Sequence, residues 1–374
     1  VQYTEYELGE LLPFEQPTAY IVKSTDYCDA YATPVLTAGK SFILGKTNET
    51  DGIFDQLPVI IFDDFTTATQ FVNFRFKVKS SAMKILHINT DLVIPKYIFY
   101  RLQIIQFDHS THKRYWIQSY SKIKVLIPPL DEQFRIVARI EELFSELDKA
   151  VDTLKTTKEQ LEVYRQAVLK DAFSDFEKKD SIRNLTMVVT SGSRGWAKYY
   201  SNSGALFVRI GNLTHSGIDI DFRDIQHITP PDNAEGVRTR LQPNDVLVSI
   251  TADLGSIGFV SEKVEEAYIN QHIALVRFQN PVQGRFMAWY LRSEYGQKDL
   301  LKNKRGGGKL GLGLDDIRDT PVPIVDDITA TEIVDKVEEQ LSVCDSIEKT
   351  VDTALAQADA MRQSILKQAF EGTM

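Results

Sequence analysis

The phrase "RQAVLKDAF", Arg165 to Phe173, returns 197 positions later as "RQSILKQAF", Arg362 to Phe370. Six of the nine residues are the same. Sliding the chain by the same amount, without a gap, also lays Ile136 on Ile333, Val137 on Val334, Glu141 on Glu338, Glu142 on Glu339, Ser145 on Ser342 and Asp148 on Asp345. Residues 131–173 are therefore written again as 328–370. Two copies are too few for a solenoid, so the pattern is that of a duplicated two-part unit.

Each copy reads as one long amphipathic helix. In the first, Val137, Ile140, Phe144, Leu147, Val151 and Leu154 alternate spacings of three and four, the seam of a coiled coil. The series runs on through Lys158, Leu161, Arg165, Val168 and Ala172. The second copy follows with Val334, Val337, Leu341 and Cys344, meets Glu348, then resumes at Val351, Leu355 and Ala358. Neither copy contains Gly or Pro, while Pro128, Pro129 and Pro323 lie just ahead, where helices begin. A helix of this length is about 65 Å long and cannot bury its stripe alone. The expected solution is an antiparallel coiled coil of the two copies with a pseudo-twofold axis, the alternative being that each helix packs on its own neighbouring domain. Arg165 and Arg362 fall on the seam and are expected near its ends or paired with acids.

The stretches between the helices are strand-rich. "TPVLTAG", "FILG" and "PVIIFDDF" supply β-branched runs in the first, and "ALFVRIGNL", "NDVLVSITADLGSIGFV" and "IALVRF" in the second. Each ends in a short helical candidate, "IPKYIFYRL" or "GRFMAWYLRS", then a basic loop and a Pro-bearing exit. The fold class is α+β: strand-rich domains at 1–127 and 177–325, and long helices at 128–176 and 326–374. "KSSAMKIL" and "NQHIALVRF" share a pattern and almost no residues, which points to one frame holding two different readers.

At 374 residues, 43% of them hydrophobic and 25% charged, the composition is that of a soluble globular protein larger than one ordinary domain. No run approaches the roughly 18 apolar residues of a membrane span. The opening "VQYTEYELGE" lacks an export pattern, and a start at Val1 rather than Met suggests that a few residues precede it. Cys28 and Cys344 make neither a disulfide framework nor a metal cluster, which fits a reducing cytoplasm. The net charge of −9 argues against nucleic acid only at first sight. Residues 131–173 hold seven Lys/Arg against ten Asp/Glu, and 328–370 hold four against eight. The acidity thus sits in the helices, leaving the domains free to carry basic faces.

The pairing of "IPPLDEQFRIVARIEELFSELDKAVDTLK…YRQAVLKDAF" with "TPVPI…IVDKVEEQLSVCDSIE…RQSILKQAFEG" resembles the DNA specificity subunit of Type I restriction-modification enzymes. "TPVLTAGKSFILG…PVIIFDDFTT…KVKSSAMK" is similar to one class of that family's target-recognition domain, and "SGSRGWAKYY…ALFVRIGNL…NDVLVSITADLGSIG" to another. The resemblance covers essentially the whole chain. One departure is the second exit, "PVPIVDD", where the first has Pro-Pro-Leu followed by Glu-Gln. The resemblance implies a non-catalytic adaptor of a prokaryotic, cytoplasmic phage-defence system. It would read a bipartite, asymmetric double-stranded DNA target and dock two modification subunits, with restriction-translocase subunits as further partners. It needs no cofactor itself, while its partners use S-adenosylmethionine, and ATP with Mg where a nuclease is present.

Absent motifs agree with an adaptor. There is no Asn/Asp-Pro-Pro-aromatic tetrapeptide of a DNA-amine methyltransferase. "RGGGKLGLG", Arg305 to Gly313, imitates a phosphate loop but has no hydroxyl after its lysine and no strand before it. It reads better as a DNA-contacting loop, with Lys298, Lys302, Lys304, Arg305 and Lys309 around glycines that admit phosphate to the backbone. Its counterpart is "DHSTHKRYW", where Lys113, Arg114, Tyr115 and Trp116 join charge to aromatic surface. His109 and His112 there have ligand-like spacing but nothing to complete a metal site. Candidates for base or phosphate contact are Lys40, Lys46, Lys79 and Lys84 in the first domain. In the second they are Arg194, Lys198, Arg209, Asn212, and Asn270 and Gln271 with His272. In "SGSRGWAKYY", Trp196 is equally a buried turn residue or a DNA contact. Two alternatives stay open at this level: an assembly protein whose β-rich domains bind other proteins, and an enzyme with a fused methyltransferase or nuclease.

Overall fold

The computed structural model describes residues 2–37, 41–107, 114–232, 234–305 and 310–371. Two compact units emerge, Val1–Leu154 with Thr353–Met374, and Lys155–Asp352. The division cuts both long helices, Leu130–Ala172 of 43 residues and Asp327–Glu371 of 45, so each unit owns one stretch of each. Asp131 and Glu132 place negative charge in the first turn of the first helix. Asp326 caps the second, accepting hydrogen bonds from Thr329 N and Oγ1, each at 2.9 Å.

In unit 1 the strand Thr4–Glu7 pairs antiparallel with Lys124–Ile127, the strand that leads into the first long helix. A one-turn helix, Leu8–Leu11, follows the first of these strands. An antiparallel sheet then runs in the order Phe14–Glu15, Met83–His87, Val59–Asp63, Thr69–Val72. Val59–Asp63 is central and buried throughout, which is why it reads as an unbroken apolar run rather than an alternation. A second sheet runs Ile43–Thr47, Thr33–Leu36, Lys77–Val78, its last pair parallel.

Unit 2 repeats this connectivity, with one strand more in its second sheet. Lys179–Ser181 pairs with Pro321–Pro323, and the one-turn helix is Ile182–Leu185. The antiparallel sheet runs Thr186–Ser191, Ile273–Phe278, Val246–Ser249, Ile257–Phe259. The second sheet runs Tyr200–Ser201, Gln226–Ile228, Ala205–Val208, Ala267–Ile269, again ending in a parallel pair. "KSSAMK" and "NQHIAL" are thus equivalent after all: each carries the chain from the last strand of one sheet into a central strand of the other.

Within each unit the two helix stretches run antiparallel and share a core with their domain. In unit 1, Val137, Ile140 and Phe144 of the first helix join Ile365, Leu366 and Ala369 of the second around Leu11, Ile98 and Trp116. In unit 2, Val334, Val337 and Leu341 of the second helix join Val168, Leu169 and Phe173 of the first around Val246, Phe286 and Tyr290. Of the other seam positions, Leu161 and Val351 are buried, and Leu147, Val151, Leu154 and Leu355 half-buried. The short helix of each domain grips an equivalent glutamate. In unit 1, Lys96 and the Tyr100 hydroxyl, at 3.4 Å, reach Glu141. In unit 2, Arg285 Nε at 2.5 Å and Trp289 Nε1 at 2.9 Å reach Glu338. The helix tips are anchored alike: Phe370 meets Tyr97, and Phe173 meets Phe286 and Tyr290.

Candidate nucleic-acid interface

The crossover Asn270-Gln271-His272 of unit 2 is pinned on every side. Asn270 is 8% exposed, donates its N–H to Val208 O at 3.3 Å, and accepts the His272 N–H on Oδ1 at 3.0 Å. The His272 carbonyl accepts from Ile250 N at 2.9 Å. Gly192 lies so close that a Cβ there would sit 2.3 Å from the Asn270 carbonyl carbon, so no side chain fits. His272 Nδ1 bonds Thr251 Oγ1, and its Nε2 lies 2.8 Å from Gln271 Nε2.

His272 and Thr251 form one wall of a cleft of about 970 Å³ that brings together Arg194, Arg305, Gly311 and Asp316. Arg305 and Gly311 exchange backbone hydrogen bonds at 3.0 and 2.8 Å. The Arg305 guanidinium donates to Asp316 at 2.6 Å yet stays 76% exposed. Burial opposes ionisation of Asp316, but the Gly313 N–H and Arg305 outweigh it and hold the carboxyl below its ordinary value. Asp315 is likewise held low, chiefly by Arg318 and then by Arg183. The cleft's acids are therefore already engaged, and Arg194 stands exposed without an ion pair among the described residues. Lys302 and Lys304, just before Arg305 in sequence, are exposed and also unpaired among the described residues. Lys309 lies outside the described residues.

Several sequence candidates turn out to be supports. Lys84 is completely buried, its Nζ 3.1 Å from Asp64 Oδ2, and cannot reach DNA. The expectation of base or phosphate contact fails there because the strand Met83–His87 is internal to its sheet and carries the lysine into the core. Asn212, 2% exposed, is no base reader: its amide bonds Asp221 O and Asp224 O at 2.9 and 3.1 Å, tying a loop together. Asn270 is corrected for the same reason, since its side chain is spent on the crossover. Arg209, half-buried, donates to Asp224 O at 3.1 Å. Trp196 is core: it is 3% exposed and stacks on Phe207 at 5.2 Å and 9°.

Other candidates remain at the surface. Lys198 is exposed, 4.8 Å over the Tyr199 ring. In unit 1, Lys79 is exposed, 5.8 Å over Tyr27. Half-buried Lys46 donates to Asp29 O at 3.4 Å. Arg114 is exposed, beside Tyr115 and Trp116, whose N–H groups are anchored on Asp64. Lys40, Lys113, His109 and His112 lie outside the described residues. Sequence reading missed Thr251 and Arg318, which also line the cleft. Their signal is positional: Thr251 follows the end of the strand Val246–Ser249, and Arg318 precedes the exit strand Pro321–Pro323. Among the described residues there is no cluster able to hold a metal ion and no helix long and apolar enough to cross a membrane.

Residues 1–163 match the family model described as the Type I restriction modification DNA specificity domain. Over 174 residues, 43% of each chain, the sequence is 45% identical to the Type I restriction enzyme EcoR124I/EcoR124II specificity subunit of Escherichia coli. It is 28% identical over 280 residues to the Type I restriction enzyme StySPI specificity subunit of Salmonella potsdam, covering 68% of this chain and 58% of the relative. The chain thus spans about half the length of the curated relatives it matches. Among solved structures, a chain from a study of complex assembly and conformational transition of the type I R-M system superposes with a TM-score of 0.71 at 17% identity, covering 98% of this chain and 97% of the other. The HsdS subunit from Thermoanaerobacter tengcongensis gives 0.52 at 17% identity, covering 100% and 97%. At such identities these two establish the fold.

Proposed function

We propose that this chain, whose residues 1–163 match the Type I restriction modification DNA specificity domain, is a DNA-reading subunit of that family whose two domains recognise two different half-sites. One observation carries the reading. The same connectivity and the same helix grips occur in both units, while the residues exposed on the two domains differ. A common frame with unlike readers suits an asymmetric bipartite target. The subunit catalyses nothing itself; methyl transfer belongs to modification subunits that dock on it.

Docking of two such subunits is supported by a duplicated corner. In unit 1, Glu141, Ser145, Asp148 and Arg362 line a cleft of about 630 Å³. In unit 2 the repeat-equivalent Glu338, Ser342, Asp345 and Arg165 line one of about 460 Å³. Two copies of one partner need two like surfaces, and these four helix positions are identical in the two clefts.

The long helices act as the spacer between half-sites. DNA rises one turn in about 34–36 Å, a distance within reach of helices of this length. Methylation mapping in cells that carry the chain with its modification partner tests the function. Two unlike short sequences at a constant separation are expected; methylation at a single contiguous site, or none, would sink the reading. Matched insertions in both helices should alter the separation and leave the half-sites as they were. A separation that ignores such insertions refutes the spacer role alone.

A further inference from the structure

We infer that Gln271 reads an adenine in the half-site served by unit 2; this rests on the DNA-reading function proposed above. Its backbone sits at the crest of a turn fixed by the buried Asn270 below and by the His272 carbonyl on Ile250 N. The side chain is half-buried, and its amide nitrogen lies 2.8 Å from His272 Nε2. His272 is itself held through Nδ1 by Thr251 Oγ1. A neutral imidazole protonated on Nδ1 donates to the threonine oxygen and accepts the glutamine amide on Nε2.

That arrangement commits one amide hydrogen and restricts the side chain. The second amide hydrogen and the Oε1 carbonyl have no hydrogen-bond partner among the described residues. A donor next to an acceptor is what the major-groove edge of adenine requires, N7 taking the hydrogen and the N6 amino group donating to Oε1. Guanine sets O6 against Oε1, two acceptors facing each other. The pairing discriminates between bases by roughly five- to a hundredfold. Thr251 and His272 also share the cleft wall with Arg194 and Arg305, which are exposed and suited to phosphate contacts. The Asp315 and Asp316 carboxylates on that wall are engaged by Arg318, Arg183 and Arg305, so they do not repel the backbone unpaired. His272 is a positioning residue in this scheme.

The test is selection of bound sequences from a duplex library randomised across both half-sites, using the full chain together with its modification subunit. The wild-type complex should require adenine at one position of one half-site. Gln271→Ala should lose that preference alone, by roughly five- to a hundredfold. Gln271→Glu should move it toward cytosine, whose N4 amino group donates to a carboxylate. His272→Phe should weaken the preference at the same position, which a merely structural role would not single out. The untouched half-site reports folding in every variant. If Gln271→Ala and Gln271→Glu both select wild-type bases throughout, the inference is wrong and DNA reading stands. A wild-type complex that selects no sequence overturns the functional reading instead.

Discussion

Arg165 on the first long helix reaches across to Asp345 on the second, with 2.7 Å between Nη1 and Oδ1. Its other nitrogen donates to Glu348 at 3.0 Å, the seam residue that interrupts the apolar series of the second helix. In unit 1 the repeat-equivalent Arg362 pairs with Asp148, itself the equivalent of Asp345. The repeated phrase therefore holds one register twice. An arginine on the seam finds an acid on the antiparallel partner, and the phenylalanine eight residues on anchors the helix tip in a domain.

The Arg165 side chain is 11% exposed while Asp345 is 70% exposed, so the pair sits between a buried and a surface ion pair. Arg165→Ala should cost about 1–3 kcal/mol, and the double-mutant cycle with Asp345→Ala should return a coupling of about 1 kcal/mol. Urea unfolding midpoints measure both. Strict additivity would show that the register does not depend on this pair.

Phe173 is 2% exposed between Phe286 and Tyr290, whereas Phe370 is half-buried against Tyr97. Truncating Phe173 to Ala leaves a cavity and should cost about 3–5 kcal/mol; the same change at Phe370 should cost visibly less. Thermal unfolding of the two variants side by side checks the order.

The helices were legible because a three-four spacing and a gapless repeat survive in sequence wherever one stripe must stay buried. The central strand Val59–Asp63 was legible as an unbroken apolar run for the same reason. The domains' common plan was legible in outline, from the short helix, basic loop and Pro-bearing exit that close each; their sheet order was not, because it depends on which backbones pair, and unlike side chains can fill equivalent positions. Individual contact residues were least legible. Lys84, Asn212 and Asn270 are polar residues on segments that read as loops or edges, and only the fold reveals that Asp64, Asp221 and His272 claim them. The Thr251–His272–Gln271 chain escaped because Thr251 is far away in sequence.

Lys84 offers a direct check on that correction. Its ammonium and the Asp64 carboxylate are both essentially excluded from water, so Lys84→Met strands the carboxylate, which then keeps the hydrogen bond from the Trp116 N–H at 2.9 Å but loses its countercharge. Destabilisation of about 3–5 kcal/mol is expected. Half-site selection by whatever folded complex remains should be that of the wild type. A changed base preference with unchanged stability would restore Lys84 to the DNA face.

Alkali should loosen the fold in a defined window. Burial first, then Glu141, pushes the Tyr100 hydroxyl up to about 12; burial pushes Tyr120 up to about 12; burial, then the hydrogen bond to Glu266, does so for Tyr268. Folded chains keep these protons above the ordinary value of 10.0 while unfolded chains release them. Stability therefore falls as pH rises from about 10 to about 12. Phenolate absorbance should show these groups lagging behind the exposed tyrosines, with denaturant midpoints declining over the same window. Simultaneous titration of all tyrosines in the folded protein would contradict their burial.

Salt dependence separates phosphate contacts from base readers. Lys302 and Lys304 are exposed, unpaired among the described residues, and close in sequence to Arg305, which lines the cleft with Arg194. Each lysine that neutralises a phosphate releases a counterion, so removing it lowers affinity for every sequence alike and flattens the salt slope by about one. Lys302→Ala with Lys304→Ala should therefore flatten the slope by about two and leave base preference intact. Gln271→Ala should do the reverse, keeping the slope and relaxing one position. Binding isotherms of the assembled complex across a salt series, on specific and unrelated duplexes, distinguish the outcomes. An unchanged slope in the double lysine variant would remove these two lysines from the DNA path, because the slope counts the phosphates neutralised.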